Sequence, residues 1–426
     1  MLVSRNGARD DLVIEGARVL DPIAGVDAAL DVTVEQGVVT RLEPAKQSHA
    51  GLVLAPAFVD PHVHLRTPGR EDEETTASGT EAAAAGGFCA ILAMPNTEPV
   101  VDSAAVLGAL IETARADAVV PVGFFGAITK GQNGAELAEL AELADHGAVA
   151  FTDDGFPVSS PGLMRRALQY ASITHRKLAL HCEEPTLSCD GQMHEGVVSA
   201  ELGFAGYPSV AESVMVERDL ALAAYERRPL HLLHLSARES VDALRAAHAA
   251  GVEATAEATP HHLCLTDDAV RSLDSNVKMN PPLRSEDDRT ALLEALRDGT
   301  ISAVATDHAP HARHEKDVPF EEAPFGVTGL ETAFAVLFTD LVGPGVISLE
   351  TLLARMSDGP ARAYGLEPPR IAVGEPANLV LIDTERSWRV KEERFRSRSA
   401  NSWLLGRTLT GSVRLTVAAG RVAFAA

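Results

Sequence analysis

The residues best suited to chemistry begin with His62 and His64. Two side chains at i and i+2 on a strand share one face, so both imidazoles can reach one metal ion. An apolar lead-in, Leu52-Val53-Leu54, precedes them, with Pro56 at its edge. Arg66 keeps the same parity just past the strand, where a fixed guanidinium can hold an anionic ligand. His-x-His alone is weak, because imidazole is common on ordinary surfaces. The remaining ligands must come from elsewhere in the chain.

Candidates stand at the ends of other apolar segments. Asp153 and Asp154 follow Phe151-Thr152, His181 follows Leu180, His234 follows Leu232-Leu233, and Asp307 follows Ala305-Thr306. Singly, each has an ordinary reading: a satisfied core histidine, a helix cap or a turn residue. Jointly, four histidines and two carboxylates at equivalent positions predict a metal centre. Nitrogen and oxygen donors without thiolate suit zinc, with manganese or cobalt as alternatives. Such a metal acidifies water and polarises a carbonyl, and Asp307 is the natural general base beside it.

These residues need a scaffold that brings strand ends together. Strand candidates are 52–64, 88–94, 119–127, 148–152, 178–182, 230–235, 252–257 and 301–306. Between most of them lie helical stretches: Glu73–Ala85, Ala135–Asp145, Gly162–His175, Ser209–Arg227, Glu239–Ala250 and Glu286–Arg297. Eight strands alternating with helices predict an α/β fold, a (β/α)8 TIM-like barrel whose site lies at the strands' C-terminal ends. No Gly-x-Gly-x-x-Gly follows the first strand, which disfavours an open doubly wound sheet. Residues 1–54 and 366–426 are rich in short strand patterns. They predict one small composite β-sandwich domain flanking the barrel of residues 55–365.

Composition narrows the partners. The 426 residues carry 37 basic and 60 acidic side chains, a formal charge of −23. That field repels nucleic acid and anionic membrane, so an anionic substrate needs local cations. Four scattered cysteines without a Cys-x-x-Cys pair predict reduced thiols, and the absence of an apolar leader or span predicts a cytoplasmic protein.

The run Asp60-Pro61-His62-Val63-His64-Leu65-Arg66 with Pro68-Gly69 resembles the signature of dihydroorotases, within the amidohydrolase superfamily. So do Met94-Pro95-Asn96-Thr97, Thr152-Asp153-Asp154-Gly155, His181-Cys182-Glu183, Thr259-Pro260-His261-His262-Leu263, Lys278-Met279-Asn280-Pro281-Pro282-Leu283-Arg284, Ala305-Thr306-Asp307-His308-Ala309-Pro310-His311 and Ala323-Pro324-Phe325-Gly326. The matches run in order along nearly the whole chain and are of the bacterial class I type.

The resemblance implies reversible cyclisation of N-carbamoyl-L-aspartate to dihydroorotate in de novo pyrimidine synthesis, with one or two Zn2+ ions per subunit. It implies metal ligation by His62, His64, Asp154, His181, His234 and Asp307, with Asp307 also the catalytic acid/base. It implies substrate contacts from His64, Arg66, Asn96, Asn280 and His311, and backbone contacts from Phe325 and Gly326. Many relatives bridge two metals with a carboxylated lysine after strand 4. Residues 145–160 hold no lysine, so a carboxylate takes that place, and the family pattern favours Asp154 over Asp153. A homo-oligomer and a complex with aspartate transcarbamoylase are also expected. Elsewhere, His308 is expected to point away from the metals, His261 and His262 to shape the loop after strand 7, and Ala312–Ala323 to be a mobile segment at the site's mouth. A hydantoinase or allantoinase is the nearest alternative, disfavoured by Arg66, Asn96 and the missing lysine. A metal-free subunit that only holds a partner is a second.

Overall fold

A computed structural model describes all residues from 1 to 426. Parallel strands need helical crossovers, and here the crossovers wrap a closed ring. One arc holds Phe58–Val63, Phe88–Ala93 and Val122–Phe124, in that order; the other holds Leu178–Leu180, Leu230–Leu232, Ala254–Ala258 and Ala303–Val304. Phe151 joins the arcs by parallel bridges to Gly126 and Leu178, and Val63 bridges to His308 to close the ring.

Several expected strands are shorter than the sequence suggests, and at two of them a buried carboxylate takes over ladder amides. Asp153 Oδ1 accepts from the amides of Ile128 (2.8 Å) and Thr129 (3.1 Å), so a side chain replaces ladder bonds after Phe151. Asp60 accepts from the Thr306 amide (3.1 Å) and hydroxyl (2.5 Å), replacing the ladder after Val304. Both carboxylates are buried, and burial pushes Asp153 up to about 6 and Asp60 up to about 7. The site end of the barrel is therefore laced by side chains.

The expected single strand over 52–64 is in fact two. Leu52–Pro56 leaves the barrel and pairs in parallel with Leu12–Asp21 on one side and antiparallel with Leu379–Arg389 on the other. Only Ala57 separates it from the first barrel strand. The composite β-domain is one hydrogen-bonded sheet of seven strands. From one edge these are Arg421–Ala425, Thr408–Ala418, Leu379–Arg389, Leu52–Pro56, Leu12–Asp21, Val26–Glu35 and Val38–Pro44. Bulges between Ile14 and Ala17 and between Asp383 and Ser387 bend it, as extra residues do in antiparallel pairs. Ile14, Val19, Val32, Leu54, Leu379 and Val417 form its own small core, while Val380, Ile382, Leu409 and Ala418 join the barrel's core.

The first barrel helix starts at Thr76, capped by Thr75, rather than at Glu73. Glu73 and Glu74 turn inward instead and are fully buried. No helix is long and apolar enough to cross a membrane.

Candidate metal centre

His62, His64, Asp154, His181, His234 and Asp307 are all buried and converge at one end of the barrel. Asp154 lies in the middle. Its Oδ2 is 3.5 Å from both His62 Nε2 and His64 Nε2, while its Oδ1 is 3.4 Å from His234 Nε2 and 3.7 Å from His181 Nδ1. Asp307 Oδ1 is 3.4 Å from His62 Nε2 and 3.1 Å from His64 Nε2. The ligand atoms of His62, His64 and Asp307 lie within 4.8 Å of one another, as do those of His62, Asp154 and His234. Asp153, by contrast, faces the loop after the third strand. Parity on the chain separates the two neighbours.

Three of the histidines are held from behind. The Nδ1–H of His62 donates to Glu257 (2.7 Å), the Nδ1–H of His64 to Asn96 Oδ1 (2.9 Å) and the Nε2–H of His181 to Glu183 (2.9 Å). Each acceptor fixes the tautomer and leaves the other ring nitrogen facing the cluster, the arrangement metal-ligating histidines use. Glu257 also accepts from His231 at 3.0 Å. Burial works to raise its pKa, but these histidines bring it down to about 2. Glu183 follows the same logic with His181, ending at about 2.

Two observations test whether a cation fits. His62 Nε2 is buried and has no hydrogen-bond partner, although a buried polar nitrogen ordinarily finds one. His181 Nδ1 and His234 Nε2 face each other at 3.0 Å with carboxylate oxygens beside them. The local charge agrees. Burial is the largest single influence on His62 and lowers its pKa, yet Asp154 and Asp307 carry it well above its ordinary value. Burial would raise Asp154 and Asp307, and the histidines hold both below the usual carboxylate range. The cluster is short of positive charge, and its donor set fits a divalent metal.

The backbone is strained at this rim. Arg66, His234 and Asp307 have φ of 56°, 27° and 47°, a region that favours glycine.

Beside the cluster, Arg66 donates from Nε to the Pro310 carbonyl (3.1 Å) and pairs with Glu73 Oε2 (3.1 Å). Arg70 Nη2 is 2.6 Å from Glu73 Oε1 and also pairs with Glu315. His311 sits between Glu73 Oε1 (3.1 Å) and the Phe325 carbonyl (2.8 Å). Glu73, His311 and Glu315 could also group around a cation, but the guanidiniums of Arg66 and Arg70 already supply it. Asn96 Nδ2 lies 3.5 Å from Asp154. Asn280 donates to Glu183 (3.0 Å), and its buried Oδ1 has no partner. At Gly326, φ is +124° and an added Cβ would lie 2.7 Å from Ala309 Cβ and 3.1 Å from His311 Nε2, so only glycine fits.

The sequence reading did not single out Glu257, Glu183 or Glu73. A signal existed for each: Glu257 is the one charged residue of the strand Ala254–Ala258, Glu183 closes His181-Cys182-Glu183, and Glu73 precedes a helix whose start it does not join. His308 behaves as expected, meeting Glu74 (3.1 Å) and the Gly329 amide (3.2 Å) away from the cluster. His261 and His262 form a short helix, Pro260–Cys264, capped by Thr259, rather than a loop. Ala312–Ala323 contains the helix Arg313–Lys316 and is tied down at several points described below.

A barrel with a composite β-sheet domain and this histidine–carboxylate rim defines the class of cyclic amidohydrolases. The fold is shared with the L-hydantoinase (dihydropyrimidinase) from Arthrobacter aurescens, at TM-score 0.85 and 24% identity over 97% of this chain and 95% of that one. It is shared too with the dihydropyrimidinase from Brevibacillus agri NCHU1002, at TM-score 0.82, 22% identity and the same coverage. Sequence likeness is higher elsewhere. Residues 51–240 match a family model described as dihydro-orotase-like. The chain is 44% identical over 422 residues to the dihydroorotase of Geobacter metallireducens, covering 97% of this chain and 99% of that protein. It is 45% identical over 423 residues to that of Anaeromyxobacter sp. (strain K), covering 97% and 98%. The chain belongs to the dihydroorotase family.

Proposed function

We propose that this chain interconverts N-carbamoyl-L-aspartate and (S)-dihydroorotate in de novo pyrimidine synthesis, with zinc, one or two ions per subunit, held by His62, His64, Asp154, His181, His234 and Asp307. The observation that carries the metal-dependent reading is the unpartnered, buried His62 Nε2 at the meeting point of two carboxylates and three further histidines. A metal held there polarises the scissile carbonyl and acidifies the attacking water.

The chain's own groups do the rest. In the hydrolytic direction, Asp307 takes the proton of the attacking water. It then delivers that proton to the ring nitrogen as the carbon–nitrogen bond breaks, and cyclisation reverses both transfers. The histidines around it lower its pKa and keep it ionised. Arg66 holds the substrate carboxylate with the guanidinium edge that Glu73 does not occupy, and His311 and Asn96 add hydrogen bonds. Asn280 offers its free Oδ1 to a ring N–H. His64 orients the substrate near Asp307, while Phe325 and Gly326 supply backbone contacts. The same proposal includes cytoplasmic location, a homo-oligomer and a complex with aspartate transcarbamoylase; sedimentation with and without that enzyme tests the assembly.

The decisive assay is dihydroorotate hydrolysis by purified protein, with metal content measured on the same sample. Turnover abolished by a chelator and restored by zinc is expected. A zinc-loaded protein that hydrolyses hydantoin but leaves dihydroorotate untouched would overturn the substrate assignment.

A further inference from the structure

Lys278 and Lys316 are buried, at 3% and 7% exposure, and no role above uses them. Lys278 Nζ donates to Gln192 Oε1 (2.6 Å) and to the carbonyls of Phe320 (2.8 Å) and Glu321 (3.1 Å). It also lies 5.2 Å and 4.9 Å from the ring centroids of Phe320 and Phe325. Lys316 Nζ donates to the carbonyls of Ser275 (2.9 Å) and Pro324 (2.8 Å). Every one of these oxygens is neutral. Burying an ammonium on neutral acceptors is costly, and burial accordingly pushes Lys278 down to about 8 and Lys316 down to about 7.

The acceptors have a common location. Phe320, Glu321 and Pro324 lie on the loop that runs from the helix Arg313–Lys316 into Phe325–Gly326. Ser275 and Lys278 lie on the segment that leads into Asn280. Two further bonds cross the same seam: Ser275 Oγ donates to the Lys316 carbonyl (2.6 Å), and the Gly326 amide donates to the Lys278 carbonyl (2.9 Å). The loop's far end meets the site directly, because His311 bonds the Phe325 carbonyl and Asn401 Nδ2 bonds the Gly326 carbonyl (3.2 Å).

We propose that Lys278 and Lys316 are positioning residues. They strap the 317–326 loop to the 275–280 segment, so that Phe325, Gly326 and His311 are held in register with Asn280 before substrate arrives. The proposal rests on the reading of those four residues as substrate contacts. Neither lysine touches substrate. Their contribution is preorganisation, which appears in binding rather than in the chemical step.

Lys278→Met and Lys316→Met, loaded with zinc, provide the test. Each is expected to raise KM for dihydroorotate by about 10-fold or more while kcat stays within about 3-fold. Amide hydrogen exchange over 317–326 is expected to accelerate by about 10-fold or more. A variant with lowered Tm but unchanged KM would reduce both lysines to fold stabilisers and overturn the proposal. Unchanged exchange in the loop would overturn it whatever the substrate proves to be. Should Lys278→Met fail to fold, Gln192→Leu removes one of its three acceptors and carries the same comparison, with KM expected to rise about 3-fold. Turnover by the zinc-loaded wild-type protein, measured in parallel, judges the functional reading separately from the strap.

Discussion

In the proposed site Asp307 has two roles, a metal-facing oxygen and the carboxylate that moves the proton, and the two separate on substitution. Asp307→Asn keeps an oxygen donor and nearly the same volume but cannot accept the proton. Turnover is expected to fall by about 10³-fold or more with metal content largely kept, measured on one sample. Arg66→Ala removes an anchor remote from the reacting carbon, so KM should rise while kcat changes little. Glu257→Gln acts from behind. It weakens the acceptor that orients His62, and zinc affinity is expected to drop about 10- to 100-fold in competition with a chromogenic chelator. A pH dependence accompanies that change. Glu257 has its folded pKa depressed from 4.5 to about 2, so the unfolded chain binds more protons between those values. Its stabilisation is present above about 4.5 and is lost as pH falls towards 2. In urea melts of metal-free protein, the stability gap between wild type and Glu257→Gln should therefore shrink as pH falls through that window. A constant gap would assign the effect to packing.

At the level of elements, the site stands on strand ends whose ladders have been cut short. Asp60 and Asp153 take over amides that a longer strand would have paired, so these two aspartates of the rim are structural while Asp154 and Asp307 face the cluster. Loops then bring in the residues proposed to contact substrate. Gly326 shows how tightly: Gly326→Ala must push against Ala309 and His311 and adopt a conformation that costs an L-residue about 1–3 kcal/mol. Raised KM together with a lowered Tm is the expected outcome; a change in Tm alone would separate this turn from the site. The helix that should have opened at Glu73 gives up its first residues for the same end, since Glu73 holds Arg66, Arg70 and His311 together.

On the scale of the whole molecule, the terminal sheet and the barrel are one folding problem. Leu52–Pro56 carries the hydrogen bonds of both the N-terminal and C-terminal strands, and Phe58, two residues past it, stacks on Phe334 in the barrel (5.5 Å). Deleting residues 408–426 would strip Leu379–Arg389 of one of its two partner strands and uncover Val380 and Ile382. An unpaired, apolar edge of this kind aggregates. Loss of soluble protein is expected, read by sedimentation, and a soluble and active truncated chain would show that the barrel stands alone.

The strand–helix alternation, the approximate strand positions and the candidate ligands, with Asp153 beside Asp154 as an alternative, were legible in the chain, because buried parallel strands and helices leave strong local patterns. His-x-His and the residues after each apolar run then marked one rim. What needed tertiary structure was any contact between distant segments. Leu52–Pro56 and Phe58–Val63 are equally apolar, and only pairing assigns them to different sheets. Asp153 and Asp154 are the same residue type side by side; chain parity points them apart, and only the tertiary structure shows which meets the loop and which the histidines. Glu73, Glu183 and Glu257 carry only faint local signals, and folding alone sets them against Arg66, His181 and His62. Nothing local in the sequence marks Lys278 and Lys316 as buried, and only the fold of the 317–326 loop places their ammoniums among neutral oxygens. Local sequence sets side-chain direction and period; long-range packing decides which charge meets which.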